Sequence, residues 1–247
     1  MGRMCRMFGL VAARPVALKV LLRDAPRSLS TLSREHKDGW GIATHAPDGW
    51  TLHKSTACAA ACPRYDEVAS GTEATMLIAH VRQKTVGETA LSNTHPFQRG
   101  PLVFAHNGTV KDVARVLALA SRERAAEVTG DTDSERLFAF VATRIDEAGD
   151  VERGVIAAVR ELHAMHEVGS VNFLFSCGGR LYAHRLGRSL HVLERHATRE
   201  QRRTPAVVVA SERLTDEAWT ELPERTLVVI EPSGPGGEPR TRQLAVA

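Results

Sequence analysis

The sequence predicts an α+β fold in which two mostly antiparallel sheets carry helices on their outer faces. Three observations predict it. Short apolar runs come first, amphipathic stretches follow, and short apolar runs return, which is not the strict β-α-β alternation of a doubly wound parallel sheet. Pro47-Asp48-Gly49, set between GIATH and TLHK, is a hairpin signal and so an antiparallel pair. With 43% hydrophobic and 25% charged residues over 247 positions, the chain can bury a substantial core, as one large domain or two small ones.

In order, residues 5–12 (CRMFGLVA) read as a buried strand, and residues 28–37 as a helix starting from a Ser28 cap. Strands 41–45 and 51–54 flank the hairpin turn. MLIAHVR (76–82) and LVFAH (102–106) are further strands. Apolar residues at helical spacing predict helices over 111–127, 134–148 and 151–167. Strands return at 170–176, 180–186, 189–194, 205–210 and 226–231. The run Pro232-Ser233-Gly234-Pro235-Gly236-Gly237 reads as a loop, which puts one domain at 5–232 and a short tail at 233–247.

A net charge of +3 is too mild to argue for nucleic acid. The local basic run Arg195–Arg203 has no aromatics to stack on bases and reads as a solvated loop. No stretch approaches the roughly 20 apolar residues of a membrane span. Arg6, Arg14, Pro15, Lys19 and Arg23 interrupt every early apolar run, which argues against a signal peptide. Met1-Gly2 lacks the Ser or Thr that myristoylation wants, having Arg6 there. A cytoplasmic location is expected. Cys5, Cys58, Cys62 and Cys177 do not make a disulfide framework in such a chain. Cys58 and Cys62 have only His53 as a close third ligand, and His163 and His166 read as an exposed helix face, so no metal is expected. No cofactor is implied.

Four segments carry candidate chemistry. Cys5, in MCRMFG, is either a small core residue or a nucleophile. The second reading needs it at the mature N-terminus, where its own α-amine takes and returns the thiol proton. An amine pKa of about 7.7–8.0 and a thiol pKa of about 8.5 are matched for that exchange. Arg82, ending the strand IAHVR, is either a surface residue or a planar fork for a carboxylate. Asn107-Gly108 is a hairpin-turn signal or an oxyanion hole, with the Asn107 amide and the Gly108 N–H converging on a developing negative oxygen. The stretch after it reads as a helix, which favours a site. Gly130-Asp131-Thr132-Asp133-Ser134-Glu135 reads as a Thr132-x-x-Glu135 capping box; a carboxylate there, Asp133, is placed to hold an ammonium.

MCRMFG, DGWGIA, HVRQKTVG, NTHPF, AHNG and GDTDSE, in that order, resemble the class II glutamine amidotransferases, and within them the stand-alone branch rather than the glutaminase domains of large synthases. The motifs span roughly residues 4–135. The resemblance implies an N-terminal-nucleophile hydrolase fold, a four-layer αββα sandwich. It implies Cys5 as nucleophile, Arg82 on the glutamine α-carboxylate with help from Thr85, Asn107 and Gly108 as the oxyanion hole, and Asp133 on the α-ammonium. Gly39 and Trp40, in the Asp38–Gly41 turn, would lie beside the nucleophile. His95 matches a position near the site with no assigned step. Two departures stand out. Val86 replaces the His that the larger synthases carry in the substrate loop, and Met1–Met4 precede the nucleophile.

The function expected is hydrolysis of the γ-amide of glutamine or a γ-glutamyl compound through a thioester on Cys5. The alternatives are a γ-glutamyl-conjugate hydrolase of thiol metabolism and an inactive binding or regulatory module on the same fold. The expected partner is a small-molecule substrate. The second half holds no phosphate-binding motif such as a P-loop, so any synthase chemistry would come from a partner protein.

Overall fold

A computed structural model of the chain describes residues 5–197, 204–232, 234 and 237–246. The segment preceding Cys5 and most of the Arg195–Arg203 run lie outside the described residues. The elements in chain order are β1 (Arg6–Ala17), α1 (Leu29–Ser33), β2 (Trp40–Ala46), β3 (Gly49–Ser55), α2 (Pro63–Gly71), β4 (Glu73–Val81), β5 (Phe97–Arg99) and β6 (Leu102–Val110). Then come α3 (Val113–Ala118), α4 (Arg122–Ala126), α5 (Asp133–Ala148) and α6 (Val151–Ala164). The last are β7 (Gly169–Cys177), β8 (Arg180–Arg185), β9 (His191–Arg195), β10 (Ala206–Ala210), β11 (Thr220–Glu221), β12 (Thr226–Pro232) and β13 (Pro239–Leu244).

The strands form two sheets. One has seven strands in the order β11-β9-β10-β1-β4-β2-β3, the other six in the order β13-β12-β8-β7-β6-β5. The described pairings are antiparallel. Side chains alternate across each strand, and both faces are covered. Met7 and Val11 of β1 meet Leu174, Leu181 and Val228 between the sheets. Phe8 and Leu10 of the same strand pack outward with Trp40, Tyr65 and Leu22 under α1 and α2. On the far side, Phe104, Phe173 and Phe175 pack under α5 and α6 against Leu137, Phe138, Val155 and Val159. The result is the expected four-layer αββα sandwich, and double coverage explains why its strands read as continuous apolar runs.

The local differences from the sequence reading have identifiable causes. The single helix expected over 111–127 is two, because two caps start it twice: Asp112 accepts from the Arg115 N–H and Ser121 from the Arg124 N–H. The first helix is shorter than 28–37, although Ser28 caps it as expected through the Thr31 N–H. Helix α2 was not anticipated, yet Pro63 at its first turn is a helix-start signal. Past the Gly/Pro loop the chain returns to the second sheet, where β13 pairs with β12 from Leu227↔Leu244 to Pro232↔Pro239.

Candidate active site

Sheet register puts the candidate residues at one end of the sandwich. Strand β1 pairs with β4 at Arg6↔Val81, and β2 pairs with β4 at Trp40↔Val81. Cys5, Gly39 and Arg82 are therefore neighbours just past the last paired residues. The Gln83 N–H donates to Cys5 Sγ at 3.3 Å, and the thiol reaches the Gln83 carbonyl at 3.4 Å. The Asp38–Gly41 turn grips the same strand end. The Arg82 N–H donates to the Gly39 carbonyl at 2.8 Å, the Asp38 N–H donates to the Arg82 carbonyl at 3.1 Å, and Asp38 Oδ2 accepts from the Lys84 N–H at 2.7 Å. Gly41 is required by a close approach: a Cβ there would lie 2.1 Å from the His95 carbonyl oxygen.

The second sheet supplies the opposite wall. On β6, Val103 and Ala105 face the other sheet while Phe104 faces α5, so the period of two turns Asn107 toward the first sheet and His106 toward α5. Gly108 follows where a Cβ would sit 1.9 Å from the Ser170 carbonyl oxygen, so no larger residue fits beside β7. The N-terminus of α5 closes the site. Thr132 caps it, accepting from the Glu135 N–H at 3.4 Å. The Glu135 carboxylate does not complete the expected capping box. It accepts instead from the Thr129 N–H, the Thr129 hydroxyl and the Gly130 N–H, and pairs with Arg99. Asp133, the first helical residue, is buried, and its Oδ2 accepts from the Val110 N–H at 2.8 Å, which ties α5 to the end of β6.

These walls border a small pocket lined by Cys5, Arg82, Gln83, Thr85, Val86, His95, His106, Gly108, Thr132, Asp133 and Ser134. Six of the nine residues singled out in the sequence are in that lining. Asn107 is buried next to Gly108. Gly39 holds the turn behind Arg82. The Trp40 ring packs edge-on against Tyr65 at 5.1 Å, in the outer layer. The Arg82 fork is engaged by its own loop, donating to the Val86 and Glu88 carbonyls at 2.9 Å each. Asn93 and Asp131 clasp that loop from behind, and Asn93 also donates to the Glu88 carbonyl. Val86, at the lip, is 41% exposed.

The description "glutamine amidotransferases class-II" fits residues 4–203 as a family model. The chain belongs to the class II glutamine amidotransferases. It is 31% identical to gamma-glutamyl-hercynylcysteine sulfoxide hydrolase of Mycobacterium tuberculosis over 94% of both chains. Its fold is that of a glutamine aminotransferase class-II domain protein from Silicibacter pomeroyi, with a TM-score of 0.67 at 21% identity over 98% of this chain and 100% of that one. Glutamine phosphoribosylpyrophosphate amidotransferase of B. subtilis has it too, with a TM-score of 0.68 at 17% identity over 98% of this chain and 50% of that one.

Burial dominates the electrostatics of this pocket. Desolvation pushes the Cys5 thiol above its ordinary pKa, although the Gln83 backbone and the Arg82 charge pull it back. Burial also pushes His80 down to about 3 and His95 well below the usual range. Their rings lie 4.4 Å apart, and both are neutral, weak bases at ordinary pH. His80, His106 and Ser134 carried no role in the sequence reading. The available signal was a polar residue in or directly after an apolar strand, in IAHVR and VFAHNG, or directly after Asp133 at a capped helix start. No helix among the described residues is long and apolar enough to cross a membrane.

Proposed function

We propose that the chain hydrolyses the γ-amide of glutamine or of a γ-glutamyl compound, with Cys5 as nucleophile after residues 1–4 are removed or never made. The observation that carries this reading is the shared pocket of Cys5, Arg82, Gly108 and Asp133. Burial holds the thiol in its protonated form, and it lowers the pKa of both histidines that line the pocket, His95 and His106, which makes them poor proton acceptors. An α-amine on Cys5 itself supplies the missing base, since a free one titrates near neutral pH. The thiolate attacks the γ-carbonyl. The carbonyl oxygen gains negative charge against the Asn107 amide and the Gly108 N–H. The protonated α-amine then returns its proton to the leaving amine, and water resolves the thioester. Arg82 and Asp133 hold the two charged groups on the substrate's α-carbon, with Thr85 at the loop. For Arg82 this means exchanging the Val86 and Glu88 carbonyls for the substrate carboxylate, so binding and loop position are linked.

Cys5→Ala is expected to lower glutamate release at least about a thousandfold, whereas Cys58→Ala, Cys62→Ala and Cys177→Ala keep it. Near-normal turnover in Cys5→Ala removes the reading.

Likeness along nearly the whole of both chains to a gamma-glutamyl-hercynylcysteine sulfoxide hydrolase favours one version of this activity, a stand-alone hydrolase of γ-glutamyl conjugates. On that version, γ-glutamyl peptides or conjugates release glutamate faster than glutamine does. Glutamine as sole substrate, with turnover raised by a co-purifying synthase, favours the ammonia-donor version instead.

A further inference from the structure

His106 joins the oxyanion strand to the substrate clamp through a hydrogen-bond chain whose direction can be read. Its Nε2 lies 3.3 Å from the Ser170 carbonyl oxygen. A carbonyl only accepts, so in neutral His106 the ring proton is on Nε2 and Nδ1 is an acceptor. Nδ1 lies 2.8 Å from Ser134 Oγ, so the Ser134 hydroxyl donates to it. Ser134 Oγ is also 3.4 Å from Asp133 Oδ1. The hydroxyl has one proton and two acceptors. Asp133 Oδ2 already accepts from the Val110 N–H, which makes Oδ1 the more open oxygen for an ammonium. All three side chains are at most 8% exposed, so water does not readily substitute for either partner.

We propose that Ser134 is a proton-dependent positioning residue for the α-ammonium site: with neutral His106 its hydroxyl is held by Nδ1 and leaves Asp133 Oδ1 to the ammonium, and with protonated His106 the hydroxyl turns to Oδ1 and competes with the ammonium for it. In the protonated ring both nitrogens donate. Nδ1–H then donates to Ser134 Oγ, and the serine proton has only the carboxylate left to face. Substrate affinity therefore falls as pH falls through the His106 titration. This rests on the assignment of Asp133 to the α-ammonium. The groups facing His106 set where the switch lies. Burial lowers its pKa most, Asp133 from α5 opposes that, and Arg188, after β8, lowers it further. His80 from β4, His95 before β5 and His184 on β8 also feel its charge, and burial keeps each of them neutral.

The test is calorimetric titration of L-glutamine into the non-hydrolysing Cys5→Ala protein from pH 8 to pH 5. Glutaramic acid, which is glutamine without the α-amine, serves as the second ligand. For glutamine the Kd should rise on acidification, by up to about tenfold per pH unit below the His106 pKa. Glutaramic acid should show no such rise. Adding Ser134→Ala should flatten the glutamine profile, and Ser134→Thr, which keeps a hydroxyl, should restore it. A simple charge repulsion from protonated His106 would survive in Ser134→Ala, so an unchanged acid loss there overturns the proposal. The same acid loss with glutaramic acid also overturns it. Binding of neither ligand at pH 8 overturns the substrate assignment itself. Should Ser134→Ala not fold, imidazole nitrogen NMR on the wild-type chain decides: the Nε2–H tautomer of His106 is expected, and Nδ1–H overturns the chain of donors.

Discussion

Arg82 is the residue where chemistry and structure meet most tightly. Its fork is nearly fully buried and donates to two carbonyls of the loop it begins. A lysine keeps the charge but offers no planar pair of donors at that spacing. Arg82→Lys should therefore both loosen the 83–92 loop and weaken the grip on substrate carboxylate. The expected result is a KM for glutamine raised about tenfold or more, the equivalent of losing one charge-assisted bond. Asp133→Asn should act on KM in the same direction. Asn107→Ala should act mostly on kcat, lowering it about 10²–10³-fold, because an oxyanion donor is engaged only as charge develops. Steady-state glutamate release separates the two classes. Unchanged kinetics in both clamp variants would place the site elsewhere. Arg82 and Asp133 stood out in the sequence as the end of a strand and the start of a helix, whereas Asn107, which lies inside β6, stood out only through the Asn-Gly pair after an apolar run. The use of Arg82 by its own loop was not legible, because nothing local in HVRQKTVG reports where the carbonyls of Val86 and Glu88 fold back.

At the scale of elements, the succession of strands, helices and strands along the chain was readable from apolar runs, while the four-layer sandwich was implied by the family resemblance and the order of strands within each sheet was not read at all. What escaped were short elements whose stability comes from tertiary packing, such as α2, and β13 beyond a Gly/Pro loop. The α5 start shows the same limit. Thr132 caps as its sequence promises, but Glu135 turns away from it to gather the 129–130 backbone and Arg99. Glu135 thereby anchors the loop that delivers Asp131 to the Asn93 clasp and Asp133 to the pocket. Glu135→Gln keeps the shape and loses the charge that two N–H groups and a guanidinium share. It should lower stability by about 1–3 kcal/mol, read from denaturant midpoints at constant slope. A stability equal to that of the parent would mean the loop is held by other contacts.

The whole molecule stores neutral histidines in its interior, and its response to acid follows from them. His80 and His184 are fully buried, and burial pushes each to about 3. Unfolded histidine titrates near 6.5. Between these values the unfolded chain binds more protons, so stability is full above about pH 6.5 and declines as pH falls toward 3, by up to about 1.4 kcal/mol per pH unit for each histidine. Melting temperatures should drop steeply below pH 6, and His184→Gln should soften that slope; a flat profile from pH 7 to pH 4 contradicts the burial. The chain's covalent state ahead of Cys5 bears on the pocket directly, because Cys5 lines it. Cys5 Sγ is held against Gln83, so its backbone nitrogen stays within the same corner. With residues 1–4 attached that nitrogen is an amide, which cannot take the thiol proton. Once freed, it is an amine with a pKa of about 7.7–8.0. The base must be unprotonated, so turnover should rise with pH through the amine's titration and level off above it. Protein whose intact mass shows Cys5 as first residue should be active. Protein carrying a fixed N-terminal tag ahead of Cys5 should be inert, although it folds and melts alike. Full activity in the tagged, uncleaved form would mean that another group takes the proton.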